Sequence, residues 1–456
     1  FGHPKGGGHI TIHAPAHRAN GTSAHPLTTD PYAEAAANAL QVGLLPKRGK
    51  SPESILPMAR DLLQEGGGTL LIVGGALAED NAAVHRALIE SLPPEGLLVI
   101  IPAASGRPAR AADDFTQSLV RHGLARERIA RFPLAVRDDS ATPDVDESTW
   151  RDNAWAIGQV ERIGDAAGFW FTGGDQMRIT QTLRNAEGEE SPLLTLIRAR
   201  LAAGAVIGGS SAGAAIMSRD MIAGGISFRA LLEPLASAYS DTEDQDSGRL
   251  YLARGLGFLS SGLVDQHFDR KARLGRLVRA MAATGQAHGF GIDEDTALEV
   301  RLGENSARVL GRGSVTLLDA THARYGFGSP ALVADLEISV IAPGDRFRLS
   351  DLELLNTAGD ATVGKEYFGY QPLQGGGMAL ANPRLDQGLG HDLLDNDASR
   401  VLKRYSIDEA GRVLVYRFTQ TDRSAGYWRN EGALDQYTAT RVRFDILSLR
   451  ATLPPH

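Results

Sequence analysis

The chain has 456 residues, with 47 Lys and Arg against 55 Asp and Glu, and a formal net charge of −8. This length predicts one large α/β domain with an appended module, or two domains. The modest negative charge argues against a nucleic-acid-binding surface, and no apolar run approaches the roughly 20 residues that a membrane span needs. Cysteine is absent, which excludes thiol nucleophiles, thiolate metal sites and disulfides, so any covalent catalysis must use Ser, Thr, Lys or a carboxylate.

Residues 1–50 are rich in Gly, His, Pro and Ala, which predicts an extended N-terminal arm. His9, His13 and His17 recur every four residues, but the nearby glycines and Pro15 favour a solvated or packed arm over a metal site. The chain starts at Phe1 without a basic-then-apolar targeting pattern. We therefore expect a processed, secreted or periplasmic protein, with a cytoplasmic location as the alternative.

From about residue 51, short apolar runs alternate with amphipathic segments, which is typical of a mostly parallel sheet flanked by helices. Strands are predicted at 69–73, 97–101, 131–135 and 168–171, with a helix from about 149 before the last of them. The loop at 172–175 follows a strand, and ligands in open parallel sheets bind at the carboxyl ends of strands. This loop is therefore a candidate site.

The sequence GSSAG at 209–213 follows a predicted strand at 205–207 and precedes a helical pattern. It matches G-x-S-x-G, whose glycines permit the strained turn that presents a serine hydroxyl. We predict Ser211 as the nucleophile, with Ser210 as the rival, and oxyanion-stabilising amides from Ala212 and from the turn at 173–174. The structural alternative is that five small residues only allow a helix to pack close to the sheet.

His267, within VDQHF at 264–268, is the candidate general base because it lies among many polar side chains. These side chains suit a substrate that carries carboxylates; they are Asp265, Gln266, Lys271, Arg273 and Arg276. The acid that orients the imidazole is predicted to be Glu294, within GIDED at 291–295, with Asp293 and Asp295 as rivals. The alternative role of these acids is to cap the following segment.

Four motifs in this order resemble the cyanophycinases: FTGGDQ at 171–176, GSSAGA at 209–214, DQHF at 265–268 with RLGR at 273–276, and GIDED at 291–295. The resemblance covers about residues 69–319. It implies a fold like that of the class I glutamine amidotransferases and a serine exopeptidase that works through an acyl-enzyme. The implied substrate is cyanophycin, a poly-aspartate chain with arginine on each β-carboxyl, and the implied product is the β-aspartyl-arginine dipeptide. It also implies no metal or other cofactor and a homodimer.

Carried over by motif, the resemblance implies Ser211 as nucleophile, His267 as base and Glu294 as its orienting acid, with oxyanion amides from Gly174 and Ala212. It implies a pocket for the β-aspartyl-arginine unit, lined by Asp175, Gln176, Asp265, Gln266, Lys271, Arg273 and Arg276. Lys271 stands where the family usually has arginine, which keeps the charge but loses the planar fork that binds carboxylates bidentately.

The sequence allows two other interpretations of the function, an aspartyl dipeptidase and a non-catalytic protein that binds cyanophycin. A standard α/β-hydrolase is disfavoured because its histidine follows the acid in the chain. A glycine pattern at 255–262 lacks the spacing of a dinucleotide loop. The acidic segment at 241–246 lacks calcium-loop spacing, and indicates a solvated loop or a contact for arginine side chains of the substrate.

After Arg324 the sequence becomes rich in predicted strands and loops. The predicted organisation is an arm at 1–50, a catalytic α/β domain at 51–322 and a β-rich C-terminal extension at 323–456.

Overall fold

A computed structural model describes residues 11–13, 67–239, 245–375, 378, 384–431 and 434–452. Most of the predicted arm, including His9 and His17, lies outside the described residues, as do residues 241–244 of the acidic segment.

The described chain contains twenty-two strands and eight α-helices, numbered here in chain order. The strands are β1 (Thr11–His13), β2 (Thr69–Val73), β3 (Leu98–Ile101), β4 (Ile129–Arg131), β5 (Gly168–Phe171), β6 (Val206–Ser210), β7 (Asp220–Gly224), β8 (Tyr251–Arg254), β9 (Leu263–Asp265), β10 (His288–Ile292), β11 (Thr296–Arg301), β12 (Ser306–Gly311), β13 (Val315–Asp319), β14 (Arg324–Tyr325), β15 (Ala331–Ile341), β16 (Arg346–Arg348), β17 (Leu354–Asn356), β18 (Asp360–Ala361), β19 (Val401–Ile407), β20 (Arg412–Thr419), β21 (Ala425–Glu431) and β22 (Leu434–Thr452). The α-helices are α1 (Ala82–Glu90), α2 (Pro108–Arg121), α3 (Ile157–Glu161), α4 (Gln176–Leu183), α5 (Pro192–Ala202), α6 (Ala212–Ala215), α7 (Ser227–Leu232) and α8 (Leu274–Thr284). A π-helix spans Gln387–Leu394.

The first sheet has a parallel core in the order β2-β6-β5-β3-β4, and the antiparallel strands β11, β12, β16 and β17 extend it beyond β2. Four of these strands, β2, β6, β5 and β3, are almost wholly buried, because helices cover both faces of a parallel sheet. Their sequences are therefore rich in apolar residues and glycine. The predicted α/β class is confirmed, as a mixed sheet with flanking helices.

Two predicted elements were wrong in detail. The strand expected at 131–135 is β4, at Ile129–Arg131, and Pro133 cannot donate to a ladder beyond it. The helix expected from about 149 consists of two 3₁₀ turns and the five-residue α3. Asp152 and Asn153 favour turns over helix interiors, and Gly158 weakens the short helix that does form.

The second sheet follows the order β18-β21-β22-β15-β13-β10-β9, and β20 also pairs with β22. Strands from beyond residue 322 join both sheets, since β15 pairs with β13 and β16 pairs with β12. One apolar cluster contains α8 together with side chains of β15, β20 and β22. The domain boundaries stay a prediction, and the backbone pairing across residue 322 is continuous.

The two sheets meet at the carboxyl ends of β2, β6, β9 and β10, where Gly74 and Gly75 accept backbone hydrogen bonds from the turns after β9 and β10. The loops that follow these strands are therefore brought together. None of the described helices combines the length and the apolar character that crossing a bilayer requires.

Candidate active site

Ser211 occupies a strained turn between β6 and α6, with φ 56° and ψ −107°, a conformation that residues with a side chain rarely adopt. Its N–H donates to the carbonyl of Val73 at 3.0 Å. A Cβ on Gly209 would lie 2.6 Å from the carbonyl oxygen of Gly213, and one on Gly213 would lie 2.4 Å from that of Phe171. Both glycines of the motif are therefore required by close backbone packing, and the turn leaves Ser211 partly exposed.

His267 links Ser211 to Glu294 through its two ring nitrogens. Nε2 lies 2.9 Å from Ser211 Oγ, and Nδ1 lies 2.6 Å from Glu294 Oε1. The imidazole rests on a glycine turn, since a Cβ on Gly75 would lie 2.3 Å from its Cε1. The backbone N–H of His267 also donates to Gly74, at 2.6 Å. A serine, a histidine and a carboxylate thus form one continuous hydrogen-bonded chain.

The rival residues from the sequence have other partners. Asp293 accepts the N–H of Ser314, whereas Asp295 accepts from the N–H of Ala78 and from Asn81 Nδ2. Ser210 ends β6, and the bond from His267 goes to Ser211. The geometry therefore places Glu294 at Nδ1 of the imidazole, and Ser211 at Nε2.

Burial lowers the pKa of His267 below its ordinary value. Glu294 opposes this effect, and the positive charges of Arg273 and Lys271 add to it. A lowered pKa keeps the imidazole neutral at neutral pH, the form that can accept a proton. Glu294 is itself anchored, because Asp269 Oδ1 accepts its backbone N–H at 3.0 Å.

The turn after β5 lies against the nucleophile. A Cβ on Gly173 would lie 3.4 Å from Ser211 Cβ. Gly174 has φ 140°, and a Cβ there would lie 2.1 Å from the carbonyl oxygen of Ala104. Within the described residues, neither the N–H of Gly174 nor that of Ala212 has a protein acceptor. Gly174 directly follows Gly173 and Ala212 directly follows Ser211, so both N–H groups belong to the two turns that meet here, and their role as oxyanion donors stays a prediction.

Beneath the triad lies a network of buried polar side chains. Asp265 and Arg276 form a bidentate pair at 2.8 and 2.6 Å, with side chains only 1 and 2 % exposed. Arg273 donates to the carbonyl of Gln266 and to Asp246. Arg276 also donates to the carbonyl of Gln245. Among the described residues, the buried atoms Arg273 Nε and Gln266 Oε1 have no hydrogen-bond partner. The predicted contact of these side chains with substrate stays a prediction.

Of the remaining predicted pocket residues, two are buried and one is exposed. Gln176 donates to two carbonyls of β7 and accepts from Gln245. Asp175 caps α4 through the N–H of Met177 and accepts from the Tyr239 hydroxyl at 3.0 Å. Lys271 is 36 % exposed and lies 2.5 Å from Asp246, on a cleft of about 460 Å³.

Sequence reasoning missed several residues that build the site. Gly74 and Gly75 follow the buried strand predicted at 69–73, and a glycine pair in that place is a signal for close approach of another chain segment. Asp269 lies two residues beyond His267 and was overlooked. Asp246 belongs to the acidic segment for which a solvated loop or a contact for substrate arginines is predicted, whereas it pairs with Lys271 and Arg273 of the protein itself. Among the described residues, no three His, Asp or Glu side chains are grouped to hold a metal ion.

A mixed α/β sheet with a Ser–His–Glu chain at the carboxyl edge of its parallel core is the arrangement of a serine hydrolase. Residues 149–308 match the family described as Peptidase family S51. A cyanophycinase of Nostoc sp. (strain PCC 7120) is 31% identical over 293 residues, which are 61% of this chain and 85% of the relative. The cyanophycinase of Geminocystis herdmanii is 30% identical over 260 residues, 56% of this chain and 82% of the relative. The chain therefore belongs to the family of these cyanophycinases, within peptidase family S51.

Among solved structures, a peptidase from an acI-B1 Actinobacterium is 22% identical, with a TM-score of 0.41, and the match covers 62% of this chain and 98% of that one. A putative peptidase E protein from Listeria monocytogenes is 16% identical, with a TM-score of 0.34, over 54% of this chain and 100% of that one.

Proposed function

We propose that the protein is a serine peptidase that hydrolyses cyanophycin and releases β-aspartyl-arginine dipeptides. The observation that carries the proposal is the hydrogen-bonded chain from Ser211 through His267 to Glu294, in a protein of the cyanophycinase family. The positive charges of Arg273 and Lys271 near His267 support a substrate that carries carboxylates.

In the proposed mechanism, Ser211 Oγ attacks the carbonyl carbon of the scissile peptide while His267 Nε2 takes its proton. The N–H groups of Gly174 and Ala212 donate to the oxyanion of the tetrahedral intermediate. The C–N bond then breaks, and the imidazolium gives its proton to the leaving amine. A water molecule, deprotonated by the same imidazole, hydrolyses the acyl-enzyme and restores the serine.

Glu294 accepts a hydrogen bond from Nδ1 and stabilises the imidazolium that forms in each half-reaction. Burial lowers the pKa of His267 and keeps the resting imidazole neutral, and the positive charges of Arg273 and Lys271 add to this effect. We assign Lys271, the exposed member of the pocket set, to the substrate carboxylate. The buried Gln176, Asp265, Gln266, Arg273 and Arg276, with Asp175, hold the loops that shape this pocket.

The test is turnover of insoluble cyanophycin by the purified protein, with products identified by mass. The Ser211→Ala variant should lose turnover by at least about 10³-fold. Ser210→Ala is the matched control, because it removes the neighbouring hydroxyl from the same motif, and it should retain most activity.

Release of β-aspartyl-arginine that only Ser211→Ala abolishes supports the proposal. Cleavage of free aspartyl dipeptides without release from the polymer favours a dipeptidase, whereas tight binding of the polymer by a protein without turnover indicates a binding protein.

The proposed homodimer is tested by light scattering, and the proposed export by fractionation of the source cells.

A further inference from the structure

A cleft of about 490 Å³ lies beside Glu294. One wall consists of the turns after β9 and β10, which carry Asp269, Arg270 and Asp293. The opposite wall belongs to the C-terminal region and includes Asp386 and Asp435. The two walls are joined by the continuous pairing of β10, β13, β15 and β22. The cleft thus places residues from beyond position 322 next to the triad.

The cleft carries more carboxylates than cations. Arg384 is held by both oxygens of Asp386, at 2.9 and 2.7 Å. Among the described residues, Asp435 accepts side-chain hydrogen bonds from neutral donors only, the closest being Trp428 Nε1 at 3.0 Å. Asp293 accepts the N–H of Ser314 at 2.9 Å. In the part of the chain that the structure describes, neither Asp293 nor Asp435 has an ion-pair partner.

Asp293 is recessed and its environment disfavours its charge. Burial and the neighbouring charge of Asp269 raise its pKa well above the ordinary value. A cationic ligand that donates hydrogen bonds to Asp293 would stabilise the charged form of its carboxyl group. Guanidinium does so best, because its planar fork matches the two carboxylate oxygens.

The cleft begins at Glu294, the carboxylate at the far end of the hydrogen-bonded chain from Ser211. The hydrogen-bonded chain places Glu294 Oε1 within about 8 Å of Ser211 Oγ by ordinary bond geometry. The arginyl branch of a cyanophycin unit, fully extended from the main chain, spans about 10 Å. A unit adjacent to the one being cleaved could therefore extend its guanidinium past Glu294 into the cleft.

We propose that this cleft is an additional subsite, which binds the guanidinium of a neighbouring arginyl branch between Asp293 on the catalytic wall and Asp435 on the C-terminal wall. This inference rests on the proposed function and extends it. The C-terminal region then contributes to recognition of the polymer, and longer substrates occupy more of the protein than short ones.

The experiment measures kcat/KM for β-aspartyl-arginine oligomers of two to eight units. For the unmodified protein, kcat/KM should rise with oligomer length. Asp435→Asn should make kcat/KM depend less on oligomer length. The double variant with Asp293→Asn and Asp435→Asn should lower kcat/KM for the longest oligomer by about tenfold. The two-unit substrate should be nearly unaffected by Asp435→Asn. Both amides keep an oxygen acceptor for Ser314 and Trp428, so the variants should fold.

Asp422→Asn is the matched control, because this carboxylate is fully exposed on the same C-terminal region and does not line the cleft. If Asp435→Asn lowered kcat/KM equally at every oligomer length, or at no length, the proposed subsite would be overturned. A second measurement separates the subsite from the catalytic proposal: calorimetric binding of the eight-unit oligomer to Ser211→Ala. If the unmodified protein releases no dipeptide but this binding weakens with Asp435→Asn, the proposed catalysis fails and the subsite stands.

Discussion

Ser211 and His267 both have positive φ, at 56° and 47°, although neither residue favours it. Each is held there by backbone contacts, Ser211 through Val73 and His267 through Gly74. Strain of this kind persists only where the surrounding structure over-determines it, and it is concentrated at functional sites. Two residues from distant parts of the chain thus converge on one turn after β2.

Glu294 and Asp295 are adjacent carboxylates that the structure uses differently. Glu294→Gln removes the charge that stabilises the imidazolium, so kcat should fall about 10²- to 10⁴-fold with little change in Tm. Asp295→Asn weakens the contacts to Ala78, Asn81 and Arg312, and should lower Tm while kcat stays within a few-fold. Kinetics and thermal unfolding of the two variants, compared side by side, check this division. The reverse pattern would exchange the two roles.

The fall of kcat/KM at low pH, the acid limb of its pH profile, should follow the protonation of His267. Because burial and nearby cations lower its pKa, the imidazole stays neutral below its usual range, and kcat/KM should fall only as the pH drops through that lowered value. Lys271→Met removes one of the cations, so the limb should move to higher pH. The measurement is kcat/KM against pH for both proteins, with Tm as the control for folding. A limb that stays in place would exclude electrostatic coupling between Lys271 and His267.

Among the elements, β6 and its elbow depend most on residue size. The strand was predicted to end at 207, but it runs to Ser210, because Gly208 and Gly209 pair with both β2 and β5. Glycine is a weak strand former by itself. Here it is used because the side chain of Trp170 and the backbone of Gly213 leave no room for a Cβ.

Gly213→Ala should therefore destabilise the protein by about 1–3 kcal/mol, the usual range for overpacking, and should displace Ser211. The matched control is Gly158→Ala in α3, where a Cβ would meet nothing within 4 Å; alanine there should be neutral or stabilising by up to about 1 kcal/mol. Urea unfolding gives both free energies. Equal effects would show that backbone entropy, and not the contact with Phe171, decides the outcome.

For the whole molecule, folding depends on the strands that pair across residue 322, β12 with β16 and β13 with β15. A chain that ends at residue 322 would lose β16 and β15, so that β12 and β13 would each keep only one paired edge, and it would expose the apolar cluster around α8. Unpaired strand edges and large apolar surfaces favour aggregation. We therefore expect this truncated chain to be insoluble or to lack a cooperative unfolding transition, as measured by size-exclusion chromatography and circular dichroism. A soluble, cooperatively folded fragment with peptidase activity would show that the catalytic part folds independently.

The sequence by itself determined the α/β class, the buried strands β2 and β5, and the motifs that carry Ser211, His267 and Glu294. Local signals suffice for these features, because a buried parallel strand is an apolar run and an elbow needs glycines at fixed spacing. The tertiary structure decided which carboxylate faces the imidazole. Glu294 lies between two aspartates in the sequence, and only the pairing of β10 with β9 and β13 fixes where each of the three side chains points.

Only the tertiary structure, likewise, decided that Asp265 and Arg276 bind each other, and that residues beyond 322 form a wall beside the triad. Asp265 lies at the end of β9 and Arg276 lies 11 residues further along, in α8, whereas the C-terminal wall is far from the triad in the chain. Burial disfavours an unpaired charge, so the packing of these elements decides which partner each charged group has. No local pattern encodes which partner is within reach.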